Sequence, residues 1–411
     1  MENIDYLAYS ANEPMVILRR KYNDGESLYK PTPAEITIDE ALADVAYLRY
    51  IFENAYSGYT YHSKDRFDDA FISMEQEIKG CTEMMAVNSF IDLIASKLSF
   101  ICDGHLSLTT ESYGKGFYKL QQTYVADIRV KQENGIYFCV ETGEEIKLGN
   151  DVLLFPTISN NEQENFLVGI RSKSPIVEIT ITVGSTVKTI PVHAIASKPA
   201  EKETLVEEEY TDDVAIISSS SFVGNTDDYA DTFFEIGKKC RSYNHVIWDL
   251  SNNLGGNSTL PEHFLKGLNG GCIDSSKILE LQSTLVSAKE SGEISDIPYH
   301  FTCKNGIPER YDNLYKGKLH VIINDGVASS AESAIIMAKS LPNVVFYGCN
   351  SLGIGRFGDL CIYYLPCSQI TVWCPQKVFD NTIEETVGYS PDVWIDSNNT
   401  IELVLQHIKE N

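Results

Sequence analysis

The residue best placed to do chemistry is a serine between an apolar strand pattern and a helical pattern. Leu319–Ile323 is typical of a buried strand, a tight turn with Gly326 follows, and Ser329–Lys339 is helical in pattern. A hydroxyl at such a junction lies at a helix N-terminus, where backbone N–H groups and the helix dipole favour negative charge. Ser329 is therefore a candidate nucleophile, although Ser329 and Glu332 also form a capping box, which by itself only starts a helix.

Two adjacent glycines, Gly255 and Gly256, follow a second apolar segment, Val246–Leu250. Adjacent glycines at the end of a strand let the backbone approach a ligand closely, and their N–H groups can point at an anion. Donors of this kind could hold the negative charge of a tetrahedral intermediate. A simple turn with positive φ is the alternative.

Two further segments supply a candidate base and a carboxylate. His105 follows Asp103-Gly104, and histidine is the usual general base at neutral pH. Glu385 lies shortly before a glycine turn, where a carboxylate could orient a histidine. The alternatives are a surface or capping histidine and a solvated loop acid. His320 lies inside an apolar strand pattern, which predicts a core position.

The elements that must position these residues change in type along the chain. Helical spacing of apolar residues runs from about Ile38 to Leu106, and short alternating strands follow from Phe117 to Val192. From Asp212 apolar strands alternate with helices, which predicts a largely parallel sheet covered by helices. We predict a helical domain over 1–112, a small β domain over 113–200 and an α/β domain over 201–411, with a charged linker at Lys198–Glu203.

Composition limits the possible partners. The formal net charge of −25 over 411 residues disfavours binding to nucleic acids or to anionic membrane surfaces. The ten cysteines form no C-x-x-C pair and are predicted to be reduced and mostly buried. The sequence has no apolar run long enough for a transmembrane helix and no secretory signal at Met1–Pro14, so we expect a cytoplasmic protein, or a secreted one if a signal peptide has been removed.

The motifs occur in an order that resembles peptidase family S41, the C-terminal-processing and tricorn-type serine proteases. The family element D-x-x-x-N-x-G-G resembles the segment from Asp249 through Asn253 to Gly256, and the nucleophile element N-x-G-x-A-S-x-A-E resembles the segment Asn324–Glu332. The family's E-x-x-G-x-x-P-D element is matched by the segment Glu385–Asp392, and Asp103-Gly104-His105 matches a D-G-H element. The resemblance covers roughly residues 100–395 and implies a ClpP/crotonase-like α/β catalytic domain, preceded by a divergent β domain where relatives carry a PDZ domain.

The resemblance also indicates which catalytic variant is present. The processing branch uses a lysine within T-x-G-K-G, and Ile354 stands at that position here, so a Ser–Lys mechanism is excluded there. The tricorn-like branch implies Ser329 as nucleophile, His105 as base and Glu385 as the group that orients or polarises the base. It also implies an oxyanion hole made by the backbone N–H groups of Gly256 or Gly255 and of Ser330. That branch has a serine immediately before the histidine, relaying to the glutamate, whereas this chain has Gly104. Whether Glu385 reaches His105 in another way stays open.

Hydrolysis by this route requires neither a metal nor an organic cofactor, and the sequence has none of the usual metal-ligand or phosphate-binding motifs. The implied substrate is a peptide or an unfolded protein, and assembly into a homo-oligomer is open, since related peptidases often assemble. Two alternatives remain. One is a non-catalytic protein of this fold that binds an apolar or peptide ligand. The other is a crotonase-type acyl-CoA enzyme, which leaves the D-G-H and E-x-x-G-x-x-P-D elements unexplained.

Overall fold

A computed structural model describes residues 31–118, 120–158, 165–195, 205–224, 226–286, 297–307, 312–380 and 385–410. The chain forms two compact units, each assembled from three stretches of sequence. The His105 unit comprises residues 1–118, 276–305 and 356–385, and the Ser329 unit comprises residues 119–275, 306–355 and 386–411. The predicted α/β class is confirmed. The three predicted domains stay a prediction, and the predicted linker at 198–203 lies outside the described residues.

The helices and strands are numbered in chain order. The helices are α1 (Ile38–Ala55), α2 (Lys64–Lys79), α3 (Val87–Lys97), α4 (Thr226–Cys240), α5 (Thr259–Asn269), α6 (Ser330–Lys339) and α7 (Thr400–Glu410). The strands are β1 (Glu35–Ile36), β2 (Met85–Ala86), β3 (Asp103–Thr109), β4 (Gly114–Phe117), β5 (Gln122–Glu133), β6 (Ile136–Cys139), β7 (Glu145–Leu148), β8 (Leu153–Thr157), β9 (Asn165–Ser172), β10 (Glu178–Val183), β11 (Thr186–Pro191), β12 (His193–Ala194), β13 (Val206–Tyr210), β14 (Val214–Ser219), β15 (His245–Asp249), β16 (Lys277–Gln282), β17 (His300–Asn305), β18 (Lys318–Ile323), β19 (Val344–Gly348), β20 (Phe357–Tyr364), β21 (Thr371–Asp380) and β22 (Val393–Trp394).

The His105 unit packs α1, α2 and α3 against an antiparallel sheet. Thr37 and Glu40 form a full capping box at the start of α1, which confirms the predicted helix start. The sheet order is β17-β16-β21-β3-β4, with β20 also paired to β21. The helices and the inner face of this sheet share one apolar core that includes Phe52, Phe71 and Leu106. The core thus fixes β3, the strand that carries His105.

The predicted helical region extends too far toward Leu106. Helix α3 ends at Lys97, and Asp103–Thr109 is strand β3. Leu106 and Leu108 are buried while Ser107 and Thr109 are less so, an alternation of period two that belongs to a strand. Gly104 is therefore a strand residue and not the end of a helix.

The Ser329 unit joins an antiparallel β part to a parallel sheet. Strands β5 to β11 close around their own small core, which includes Val130 and Ile181. Strands β14, β15, β18 and β19 lie side by side in parallel register. The predicted parallel sheet is confirmed for these strands. In contrast, β16, β17, β20 and β21 are antiparallel strands of the His105 unit.

The ten cysteines are free thiols, as predicted. Most of them are buried, but Cys81 and Cys303 are exposed. Burial raises the pKa of the Cys240 thiol to about 12, so this thiol stays protonated at neutral pH.

A buried carboxyl in α1 gives a pH-dependent test of the fold of the His105 unit. Asp44 is fully buried and accepts hydrogen bonds from the backbone N–H groups of Cys367 (2.9 Å) and Ser368 (2.7 Å). Loss of hydration raises the pKa of Asp44 to about 6. The contribution of this carboxyl to stability is therefore fully present below its ordinary pKa and is lost as the pH rises through about 6.

Asp44→Asn is accordingly expected to gain stability relative to the wild type as the pH rises from 4 to 8. A shift of about two pKa units corresponds to roughly 3 kcal/mol in the difference between the two free energies of unfolding. Urea unfolding of both proteins at several pH values measures this difference. Asp39→Asn, in the exposed first turn of the same helix, is the control. A difference that does not change with pH would contradict the assigned burial of Asp44.

Candidate active site

Ser329 lies at a strained junction between strand β18 and helix α6. Its backbone has φ 52° and ψ −120°, a left-handed conformation that costs a non-glycine residue about 1–3 kcal/mol. Helix α6 begins at Ser330, immediately after it. Strain of this kind at a strand-to-helix turn is typical of serines whose hydroxyl is presented to a substrate.

The capping-box alternative for Ser329 is only half realised. The Ser329 side chain makes no capping hydrogen bond to α6. The carboxylate of Glu332 accepts a hydrogen bond from the backbone N–H of Ser329, which is the other half of the box. The Ser329 hydroxyl is therefore not used to start the helix.

Glu332 also holds a second segment against the nucleophile turn. Its carboxylate accepts hydrogen bonds from the Ser351 hydroxyl (2.5 Å) and from the N–H groups of Gly353 (2.8 Å) and Ile354 (2.9 Å). Glu332 is fully buried, and loss of hydration raises the pKa of its carboxyl to about 7 despite these donors. The segment from Ser351 to Ile354 is thereby held against the start of helix α6.

The glycine pair packs so tightly against the nucleophile turn that no side chain would fit. At Gly255 an added Cβ would lie 2.7 Å from both the Ala328 carbonyl oxygen and the Ser330 nitrogen. At Gly256 it would lie 2.3 Å from the backbone of Phe222, and both glycines have positive φ. The close approach predicted from the sequence is confirmed, and it explains why only glycine is compatible with these positions.

Asn253 determines which glycine N–H can serve a ligand. Its side-chain oxygen accepts a hydrogen bond from the Gly255 N–H (2.9 Å), and its side-chain NH₂ donates to the Ser219 carbonyl (2.9 Å). Its own carbonyl accepts from the Ala328 N–H (3.0 Å). The Gly255 N–H is therefore engaged within the loop, which leaves the N–H of Gly256 as the candidate for an oxyanion donor.

The N–H of Ser330 lies in the first turn of α6, where the helix itself offers no acceptor. The Ser330 hydroxyl donates to the Gly256 carbonyl over 2.6 Å, which fixes the glycine loop to the start of the helix. The loop and the helix start therefore form one hydrogen-bonded arrangement around Ser329.

His105 lies at an irregularity in strand β3 and is almost fully buried, with 8% of its surface exposed. Loss of hydration lowers the pKa of its imidazole to about 4. The ring is therefore neutral at pH 7, which is the form that a general base requires.

Two carboxylates hold the backbone on either side of His105. Asp103 accepts hydrogen bonds from the N–H groups of His105 (2.8 Å) and Leu106 (3.2 Å). Glu385 accepts from the N–H groups of Gly104 (3.0 Å) and Arg356 (3.2 Å). Glu385 thus binds the backbone of Gly104, the residue immediately before His105.

The structure groups the predicted residues within the two units. Ser329, Gly255, Gly256 and Ser330 are neighbours in the Ser329 unit, and His105 and Glu385 are held together through Gly104 in the His105 unit. Their catalytic roles stay predictions. The sequence identifies Asn253 and Asp103 only as members of family motifs, and Glu332 as a motif member and part of a capping box. The motifs are the signal that points to these residues, but they do not predict the hydrogen bonds that these residues form.

His320 is a core residue, as predicted, with its ring nitrogens 3.1 Å from His245 Nδ1 and 3.2 Å from the Tyr347 hydroxyl. Within the part of the chain that the structure describes, no group of three or more His, Cys, Asp or Glu side chains is arranged to hold a metal ion. Over the same residues, no helix is long and apolar enough to cross a membrane.

Comparison with known proteins gives one family match and several similar structures. Residues 213–359 match the model of peptidase family S41. The structure is similar to that of mature CPAF complexed with lactacystin, at 12% identity and a TM-score of 0.50, over 91% of this chain and 99% of that chain. It is also similar to the tricorn protease (12% identity, TM-score 0.45, 91% of this chain and 37% of that chain). A third similar structure is the photosystem II D1 C-terminal processing protease (12% identity, TM-score 0.42, 87% and 93%). The CPAF likeness shows a shared fold, and no curated protein sequence matches the chain.

Proposed function

We propose that the chain is a serine-type peptidase that cleaves peptide bonds through Ser329, His105 and Glu385, and the match of residues 213–359 to the model of peptidase family S41 supports this. The observation that carries the proposal is the left-handed backbone of Ser329, at a strand-to-helix turn packed against two glycines. A serine that only started a helix would adopt an extended backbone and use its hydroxyl as a cap. Ser329 does neither.

In the proposed mechanism, His105 takes the proton from the Ser329 hydroxyl as Oγ attacks the carbonyl carbon of a peptide bond. The N–H groups of Gly256 and Ser330 hold the oxyanion of the tetrahedral intermediate. The imidazolium of His105 then protonates the amine, which departs, and the acyl group remains bound to Ser329 as an acyl-enzyme. A water molecule then loses a proton to His105 and attacks the acyl carbon. As the bond between that carbon and Oγ breaks, His105 returns the proton to Oγ, which restores the serine and releases the carboxylic acid product. Glu385 positions the base by holding the N–H of Gly104.

The lysine-based variant of the family receives no support from this chain. Ile354 stands at the lysine position, is buried, and has no group that can accept a proton. Arg356, two residues further on, remains protonated at any working pH. This leaves the histidine as the base, in agreement with its neutral form at pH 7.

Reaction with a fluorophosphonate probe tests the proposal directly, because the probe attaches to activated serines and needs no knowledge of the substrate. We expect the purified chain to be labelled, and we expect peptide mass spectrometry to find the adduct on Ser329 among all the serines present. Folded protein that stays unlabelled from about pH 5 to 9, or an adduct on another serine, would refute the assignment. The absence of labelling would favour a ligand-binding protein with the same fold, whereas an adduct on another serine would point to a different nucleophile.

A further inference from the structure

Strand β3 leaves its regular pairing at the residues around His105. Asp103 pairs with Phe117 and Ser107 pairs with Gly116, so β3 advances four residues while β4 advances one. Such bulges re-aim a side chain and remove backbone N–H groups from the ladder of hydrogen bonds. The N–H groups of His105 and Leu106 instead donate hydrogen bonds to a single oxygen of Asp103, Oδ1. The Asp103 carboxylate thus sets the backbone of the bulge that presents His105.

The other oxygen of Asp103 is held from the helical part of the same unit. The Tyr56 hydroxyl donates to Asp103 Oδ2 over 2.9 Å, and both residues are fully buried. Tyr56 is the C-cap residue of α1, and its ring is packed among four aromatic rings. These rings are Phe52 at 5.0 Å, Phe67 at 6.2 Å, and His62 and Phe357 at 6.4 Å between centroids. The tyrosine hydroxyl therefore has little freedom to move.

Charge favours the same arrangement. Burial raises the pKa of Tyr56 well above its ordinary value, so the phenol stays a donor. Burial also raises the pKa of Asp103 to about 7, and its hydrogen bonds from Tyr56, His105 and Leu106 oppose that rise by favouring the ionised form. Removal of the tyrosine hydroxyl takes away one of the three donors that support the carboxylate.

We propose that Tyr56 and Asp103 form a positioning pair, which transmits the rigid packing of the N-terminal helices to the bulge of β3 and so fixes the imidazole of His105. The catalytic meaning of this pair rests on the proposed function, in which His105 is the base. The structural role of the pair, which is to hold the ring of His105 in place, does not depend on catalysis.

Tyr56→Phe is the decisive variant, because it keeps the ring in its aromatic packing and removes only the hydroxyl. We expect the second-order rate of fluorophosphonate labelling to fall by about tenfold or more, since the base loses its fixed geometry. We also expect the His105 ring, once it is less firmly held in its buried position, to regain hydration. Its titration should then move from about 4 toward the ordinary value of 6.5. Histidine-selective NMR between about pH 3.5 and 8 covers both midpoints and measures this directly, with the His105 signal assigned by its loss in His105→Gln.

Tyr363→Phe is the matched control, since Tyr363 is also a fully buried tyrosine of this core and its hydroxyl accepts from Gln376. It should leave both the rate and the His105 titration unchanged. Asp103→Asn, which keeps one acceptor oxygen for the bulge, should retain at least about tenfold more labelling than Asp103→Ala. A Tyr56→Phe protein with an unchanged His105 titration overturns the positioning pair, whatever its labelling rate. An unlabelled wild type refutes the proposed function instead, while the titration still decides the pair.

Discussion

Ser329→Ala is expected to lower the rate of peptide hydrolysis by roughly 10⁶-fold, because it removes the only atom that can form the acyl-enzyme in the proposed mechanism. Alanine meets the same backbone strain as serine at φ 52°, so the turn and helix α6 should keep their geometry. Digestion of fluorescently quenched casein, followed over hours, would detect a residual rate well below that of the wild type. The fluorophosphonate adduct should disappear in the same variant.

The control for this variant is Ser333→Ala, which removes a hydroxyl from the next turn of the same helix. It should digest casein at the wild-type rate and react with the probe. Thermal unfolding of both variants within a few degrees of the wild type would show that the comparison concerns chemistry and not folding. Casein digestion that persists in Ser329→Ala would assign the activity to another residue or to a contaminant.

The predictions that held depend on signals contained within short segments. The strand, turn and helix around Ser329 follow one another in the sequence, so the local pattern alone places the hydroxyl at a helix start. The glycine pair is likewise informative by itself, since only a residue without Cβ allows the approach of 2.7 Å to Ala328 and Ser330. The start of helix α1 at Ile38 also agrees with the helical spacing of apolar residues predicted from that position.

The features that escaped prediction are set by partners far apart in the chain. Strand β3 pairs with β21, about 260 residues later, and no local pattern announces that pairing. Leu106 lies at helical spacing from Leu98, which is why the predicted helix extended too far, whereas Leu108 follows the period of two that belongs to a strand. Asp103 gains its role from Tyr56 on α1, and Glu385 reaches Gly104 across 281 positions. The periodicity of a sequence indicates which face of a helix or strand is buried, but it does not indicate which polar groups form hydrogen bonds with each other.

Replacement of His105 by glutamine is expected to lower both casein digestion and probe labelling by at least about 10⁴-fold, since the serine would lose its proton acceptor. His300→Gln, an exposed histidine of the same unit, is the matched control and should keep full activity. The double variant Ser329→Ala, His105→Gln should be no slower than Ser329→Ala alone, because residues that act as one unit have non-additive effects. A further loss in the double variant would mean that His105 contributes to something other than activation of Ser329.

The pH profile of the wild type distinguishes a buried base from an ordinary histidine. Burial lowers the pKa of His105 to about 4, and only the neutral ring can accept the serine proton. The rate of probe labelling should therefore stay near its maximum as the pH falls from 8 to about 5.5, and it should decline only as the pH approaches about 4. An exposed histidine would lose half its rate near pH 6.5. A midpoint near pH 6.5 would mean that the base is exposed to water, which would contradict the burial of His105. A flat profile down to about pH 5.5 requires a base that gains a proton only in acid, which is the behaviour that the burial of His105 implies.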